Sequence, residues 1–277
     1  MKTLPLLILL GYLGTPLPLQ AKDLRIVNAN ILYCNPVGDK EGYEVYIKRL
    51  DRLIAKIDKL KPDVLALQEV ASCSFKWGAI WVEPAKIIEQ RTGYRYYHWI
   101  SEGVRGVWEE GLAFFWNPRT VTPKNIDCTH LKATAKGWGG GTIRKSLCGM
   151  DLDLTDGSVL RLYNTHLNGA LSTVQTGEIL ERIRNEARSR DSVLLVGDFN
   201  FLPSSEGAVR IKDFGFTQLA NKHVDYVFGL NLTYNAKIRI VDLKKDKTSD
   251  HDGLLIELMP PGKTQSKPRR PSKRRKL

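Results

Sequence analysis

The chain has 277 residues, with 42 Lys and Arg against 30 Asp and Glu, a formal charge of +12, 42% hydrophobic residues and 9% aromatics. That composition is globular and excludes a disordered, collagen-like or disulfide-scaffold chain. Eight of the positive charges lie between Lys263 and Lys276, and residues 22–260 carry only about +3, so the basicity belongs mainly to a tail.

The first 21 residues read MKTLPLLILLGYLGTPLPLQA. Lys2 precedes an apolar run from Leu4 to Leu13, Pro16 and Pro18 end it, and Ala21 is small. The run is shorter than the ~20 residues that cross a bilayer, and its order is that of a secretory signal peptide cleaved near Ala21. No later stretch is as apolar, so the mature chain is expected to lack a transmembrane segment. The expected organisation is a leader (1–21), one domain (22–260) and a polybasic tail (261–277), in a secreted or periplasmic monomer.

LRIVNANILY (24–33) alternates and is rich in β-formers, which predicts a strand. Tyr46, Leu50, Leu53, Ile54 and Ile57 recur at helical spacing and stop before Pro62, which predicts an amphipathic helix. Val64–Leu67 is a short buried strand with Glu69 at its end. Pro84–Thr92 reads as a helix closed by Gly93, and Trp77, Ile80 and Trp81 are expected to pack in the core. Tyr94–Ile100 and Gly111–Trp116 read as strands, and Ala133–Gly141 as a loop. Thr142–Thr155, Asp156-Gly157 and Ser158–Thr165 form a hairpin signal. A helix through Ile179, Ile183 and Ala187 follows, then a buried strand at Val193–Val196. The late strands are His223–Phe228, Lys237–Leu243 and Leu254–Leu258. No internal repeat occurs, and the pattern predicts a single α/β domain with many strands and few helices.

The last segment, PGKTQSKPRRPSKRRKL, lacks apolar anchors and is expected to be a disordered arm for polyanions: DNA, RNA or an anionic membrane surface. Cys34, Cys73, Cys128 and Cys148 are an even set in a chain expected to be exported, so one or two disulfides are expected, with Cys128–Cys148 the first choice. There is no CxxC pair, and a structural zinc site is not expected.

The informative pattern is a series of polar residues beside apolar runs: Asn30, Glu69, His166, Asp198, Asn200, Asp225, Asp250 and His251. One such residue is ordinarily a strand cap. A whole series of carboxylates, amides and two histidines suits a metal-assisted phosphoryl site. Carboxylate oxygens suit a hard cation such as Mg²⁺, and imidazoles move protons near neutral pH. His98, His130 and His223 lack this setting and read as structural. Asn231-Leu232-Thr233 matches a glycosylation sequon, a tripeptide common by chance.

The segments N-A-N-I (28–31), L-Q-E-V (67–70), N-T-H-L (164–167), G-D-F-N (197–200), V-D-Y-V (224–227) and S-D-H (249–251) resemble, in order and spacing, the endonuclease/exonuclease/phosphatase superfamily with its deoxyribonuclease I-like fold. The resemblance spans about Leu24 to Leu258. It implies an α/β (α+β) fold, a four-layer αββα sandwich of two packed mixed sheets flanked by helices, with the site at one edge. It also implies roles. Glu69 is the principal Mg²⁺ ligand with Asn30 beside it, and Asp250 lies near the metal as a second ligand. Mn²⁺ or Ca²⁺ are the alternative ions. Asp198 and Asn200 orient water and phosphate, and His166 and His251 serve as base and acid in an order left open. Asp225 holds the His251 ring, Arg144 contacts phosphate, and Glu110, or its neighbour Glu109, partners His166.

The expected activity is metal-dependent hydrolysis of DNA, with RNA as a further substrate, by a low-specificity endonuclease. The alternatives are a phosphodiesterase or phosphatase acting on a phospholipid or small phosphate ester, and a non-catalytic polyanion-binding protein. The tail generates a prediction. A chain ending at Pro260 is expected to bind DNA more weakly, with a flatter dependence on salt and unchanged turnover. Equal affinity at every salt concentration, measured by fluorescence anisotropy, refutes it.

Overall fold

The computed structural model describes residues 23–34, 42–76, 78–137, 141–186 and 191–261. The expected leader, tail residues 262–277, Trp77, residues 138–140 and Ala187 lie outside the described residues. In chain order the elements are β1 (Leu24–Asn30), α1 (Tyr43–Leu60), β2 (Val64–Phe75), β3 (Ile80–Val82), α2 (Pro84–Thr92), β4 (Arg95–Val104), β5 (Trp108–Trp116), β6 (Lys124–His130), β7 (Ala135–Lys136), β8 (Thr142–Ile143), β9 (Ser146–Asp153), β10 (Val159–His166), α3 (Ser172–Glu186), β11 (Ser192–Asp198), α4 (Glu206–Asp213), β12 (Thr217–Lys222), β13 (Asp225–Leu230), β14 (Asn235–Val241) and β15 (Gly253–Met259).

One sheet runs β14–β15–β1–β2–β5–β4, with β3 beside β2, and the other runs β12–β13–β11–β10–β9–β6. Each contains one parallel pair, β1–β2 and β10–β11, among antiparallel neighbours. The apolar runs of β2 and β11 are continuous because both faces of each sheet are covered. Val64 and Ala66 of β2 meet Leu194 and Val196 of β11 between the sheets. Leu65 and Leu67 face outward onto Leu53, Ile54 and Ile57 of α1 and Ile88 of α2. Val193 and Leu195 face Ile179 and Ile183 of α3 and Ala208 and Ile211 of α4. The result is the expected four-layer αββα sandwich.

The two helices expected in the first half form as read. In α1 the residues at helical spacing are the buried ones, and the helix ends at Lys61, in a left-handed conformation ahead of Pro62. α2 starts on Pro84 and stops at Gly93, whose φ of 72° a glycine tolerates without strain. Elsewhere the boundaries shift. β1 ends at Asn30, not Tyr33, because Leu32 has a φ of 60° and breaks the extended run. The strand expected at 142–155 is interrupted at Arg144-Lys145: β8 pairs with β7, and β9 begins at Ser146. The polar edge strand β6, the half-buried β12 and α4, only eight residues long, are not among the expected elements. Trp81 is 38% exposed on β3, against its expected place in the core.

Two disulfides form, Cys34–Cys73 and Cys128–Cys148. The second joins β6 to β9 at directly paired positions. Among the described residues, no helix is long and apolar enough to cross a membrane.

Gly197, the first residue of G-D-F-N, has a φ of 148°, and a Cβ there would lie 2.0 Å from the Thr165 carbonyl oxygen. Gly197→Ala is therefore expected to destabilise the fold by about 3 kcal/mol or more. An unchanged midpoint in urea unfolding would refute this.

Candidate functional site

The two parallel pairs bring their carboxyl ends to the same edge of the sandwich, where open sheets ordinarily place ligand sites. Asn30 ends β1 opposite Gln68 of β2. His166 ends β10 opposite Asp198, which ends β11, and Asp225 begins β13 opposite Asp198. Glu69 reaches this edge through a bulge: pairing of β2 with β5 slips between Leu67 and Val70, and Glu69 has a φ of 55°. A bulge re-aims a side chain, and a non-glycine residue in the left-handed region stores strain at a site that uses it. Asn200 has a φ of 51°.

The side chains meet in a chain of contacts. Asn30 donates through Nδ2 to Glu69 Oε1 at 2.8 Å and to Asp198 Oδ2 at 3.0 Å. His166 Nε2 lies 3.9 Å from both Glu69 Oε1 and Asp198 Oδ2, and its Nδ1 lies 3.8 Å from Glu110 Oε1. His251 Nε2 lies 3.8 Å from the same Asp198 Oδ2, while its Nδ1 bonds Asp225 Oδ2 at 2.8 Å. The backbone N–H of Asn200 donates to Asp198 Oδ1, and its side-chain Nδ2 donates to the Leu167 carbonyl.

Eight residues singled out in the sequence thus converge: Asn30, Glu69, Glu110, His166, Asp198, Asn200, Asp225 and His251. Two stand differently. The Asp250 side chain is 60% exposed, with its Oδ1 4.0 Å from His251 Nε2, and it belongs to neither acidic group that could hold a metal. Arg144 is exposed and lines the neighbouring depression. The buried cation in the cleft is Lys145, 2.8 Å from Glu102 and 3.7 Å from Glu110. Asn30 also differs from a direct ligand. Its Oδ1 accepts the Leu32 N–H at 3.0 Å, so its amide group, not its oxygen, faces the carboxylates. Sequence reading missed Lys145 and Tyr33, which line the same cleft of about 540 Å³ as Trp108. The break at 144–145 hid which residue of that pair turns inward; Tyr33 carried no sequence signal.

Burial sets the protonation states. It drives His166 well below the ordinary histidine value, helped by the positive charges of Lys145 and His251. Burial also depresses His251, but the bond and charge of Asp225, with Asp198 and Asp250, override it and raise the group to about 9. Burial and the charge of Asp225 push Asp198 up to about 6 against His251 and two hydrogen bonds. Burial pushes Glu110 up to about 8, opposed by Lys145 and reinforced by Glu69 and Glu102. These carboxylates have less positive charge nearby than they need. Glu69, His166 and Asp198 each offer one ligand atom, all within 4.8 Å of one another. A divalent cation fits both the oxygen-rich donor set and the charge deficit.

The family described as the endonuclease/exonuclease/phosphatase family matches residues 30–251. No curated protein sequence matches the chain. Among solved structures, the chain is similar to the human nocturnin catalytic domain with bound sulfate (TM-score 0.66, 17% identity, covering 88% of this chain and 98% of that one). It is also similar to a mannosyl-6-phosphatase of Bacteroides thetaiotaomicron (0.63, 14%, 85% and 99%) and to truncated Caenorhabditis elegans TDP2 (0.62, 16%, 86% and 97%).

The His251–Asp225 pair generates a pH prediction for metal-free protein in EDTA. The folded-state value of about 9 lies above the ordinary 6.5, so the pair's stabilisation is fully present below pH 6.5 and is lost as pH rises through 9. The margin of the wild type over Asp225→Asn in thermal melts is expected to shrink across that window by up to about 3 kcal/mol. A margin constant from pH 6 to 9.5 contradicts the pairing.

Proposed function

The chain belongs to the endonuclease/exonuclease/phosphatase family, and from that premise we propose that it is a secreted, Mg²⁺-dependent phosphodiester hydrolase, an endonuclease that cuts DNA with little base specificity. The observation that carries the reading is that two imidazoles of opposite protonation state, neutral His166 and charged His251, face one oxygen of Asp198.

A cation bound by the carboxylates of Glu69 and Asp198 would supply positive charge for the non-bridging phosphate oxygens. The remaining chemistry is done by the chain. His251 is a proton donor at neutral pH; Asp225 holds its Nδ1, so Nε2 is the atom presented to the departing oxygen. His166, kept neutral, accepts a proton from the attacking water, and Glu110 beside its Nδ1 steadies the imidazolium that forms. Lys145 holds Glu110 and Glu102 in place. Asn200, fixed by Asp198 and Leu167, lines the cleft and orients the phosphate.

Three features favour a polynucleotide. A depression of about 340 Å³ shares Glu102, Gly103 and Thr142 with the cleft and is lined by Arg105 and Arg144, which extends a track for further phosphates. Tyr33 and Trp108, with ring centroids 6.3 Å apart at the cleft wall, offer faces for bases. The polybasic tail adds attraction for the same polymer. The leader-like N-terminus and two disulfides support secretion, and nothing in the reading needs a second copy.

The test is incubation of the mature protein with supercoiled plasmid and Mg²⁺. Nicking is expected, abolished by EDTA and reduced at least about 100-fold in His166→Ala. Release of phosphate from monoesters without nicking, or cleavage of a phospholipid diester, would replace the nuclease reading with a phosphatase or lipid phosphodiesterase. DNA retardation without any cleavage would favour a binding protein.

A further inference from the structure

We propose that Arg49, a buried residue of α1 outside the cleft, is a positioning residue that presets the acidic centre through the Ile31–Tyr33 turn. Its Nη1 donates to the carbonyls of Ile31 (3.3 Å) and Leu32 (3.0 Å), and its Nη2 donates to that of Tyr33 (3.0 Å). Three consecutive carbonyls on one planar guanidinium is a geometry that a lysine ammonium cannot reproduce. The guanidinium also lies 5.2 Å from the centroid of the Tyr46 ring, and Tyr46 is itself fixed by donating its hydroxyl to the Ala71 carbonyl at 2.8 Å.

The clamped turn does two things for the site. Leu32, held at a φ of 60°, directs its N–H to Asn30 Oδ1. That bond fixes which end of the Asn30 amide faces Glu69 and Asp198. Tyr33 then directs its N–H to Glu69 Oε2 at 2.9 Å, so one oxygen of Glu69 is held by Tyr33 and the other by Asn30. The left-handed Leu32 is a strained conformation that persists only where its surroundings over-determine it. Arg49 on one side and the Cys34–Cys73 disulfide just beyond the turn supply that constraint. Arg49 thus acts on the carboxylate of Glu69 without touching it, as outer partners tune metal ligands.

The effect on cation affinity rests on the reading that Glu69 holds the ion, so the test separates the two. Full-length wild type, Arg49→Lys, Arg49→Met and Glu69→Gln are titrated with Mn²⁺ and followed by electron paramagnetic resonance. Hydrogen exchange at the Leu32 and Tyr33 amides is measured on the metal-free proteins. Both Arg49 variants are expected to bind Mn²⁺ roughly 10-fold or more weakly, to exchange those two amides faster, and to lose kcat on a phosphodiester while KM stays nearly constant. Should the Met variant fail to fold, the Lys variant, which keeps the charge and loses only the fork, carries the test. Normal Mn²⁺ affinity in Arg49→Lys beside a clear loss in Glu69→Gln overturns the proposal. So does a lowered melting temperature with wild-type exchange at both amides, which marks Arg49 as packing alone. If Glu69→Gln binds Mn²⁺ as the wild type does, the metal reading falls, and the two amides decide the clamp: unchanged protection overturns it, faster exchange supports it.

Discussion

The structure is organised around a concentration of negative charge that its own scaffold makes costly. Glu69, Glu110, Asp198 and Asp225 meet at the edge of two apolar sheets, three of them buried, and burial raises Glu110 and Asp198 toward neutrality. The polar contacts around them answer that charge. Asn30 donates to two carboxylates, the Asn200 and Tyr33 N–H groups donate to one each, His251 is charged by Asp225, and Lys145 sits between Glu102 and Glu110. A buried carboxylate is tolerated only with such partners. Those present leave room for a divalent cation, which is why the same groups that strain the fold define the site.

Geometry that tight needs the two sheets to keep their relative position. A buried amide network lies next to the edge where these groups gather: Gln68 donates to Asn28 Oδ1 at 2.9 Å and to Asn164 Oδ1 at 2.7 Å, and Asn164 donates to the Leu67 carbonyl at 3.0 Å. Gln68 precedes Glu69 and Asn164 stands two residues before His166, so the bonds that join the sheets lie within two residues of the side chains that must meet. The left-handed residues Leu32, Glu69 and Asn200 cluster at the same edge. Regular strands would point their side chains into the layers; these departures from regularity turn them toward the cleft.

Much of this was legible before any coordinates. Runs such as VLAL and VLLV announce strands covered on both faces, and polar residues at their ends stand out because nothing apolar needs them there. The periodicity of α1, the Pro84 start and Gly93 stop of α2, and the Asp156-Gly157 turn are local signals, and each was met by the structure. Polar edge strands such as β6 were not legible, since an edge exposed to water imposes little pattern on its sequence.

The sequence by itself determined a single α/β domain with many strands and few helices and seven of the residues that gather at the edge, because burial and local propensity act on neighbours along the chain; the four layers and Glu110 came only as what the family resemblance implied. Only the tertiary structure decided which way each group faces. A strand break at 144–145 turns Lys145 inward and leaves Arg144 outside. A hydrogen bond from Leu32 turns the Asn30 amide toward the carboxylates. A free surface position leaves Asp250 in solvent while Asp198, opposite His166 and Asp225, takes the centre. These choices depend on contacts between segments far apart in the chain, and such contacts leave no periodic trace in it.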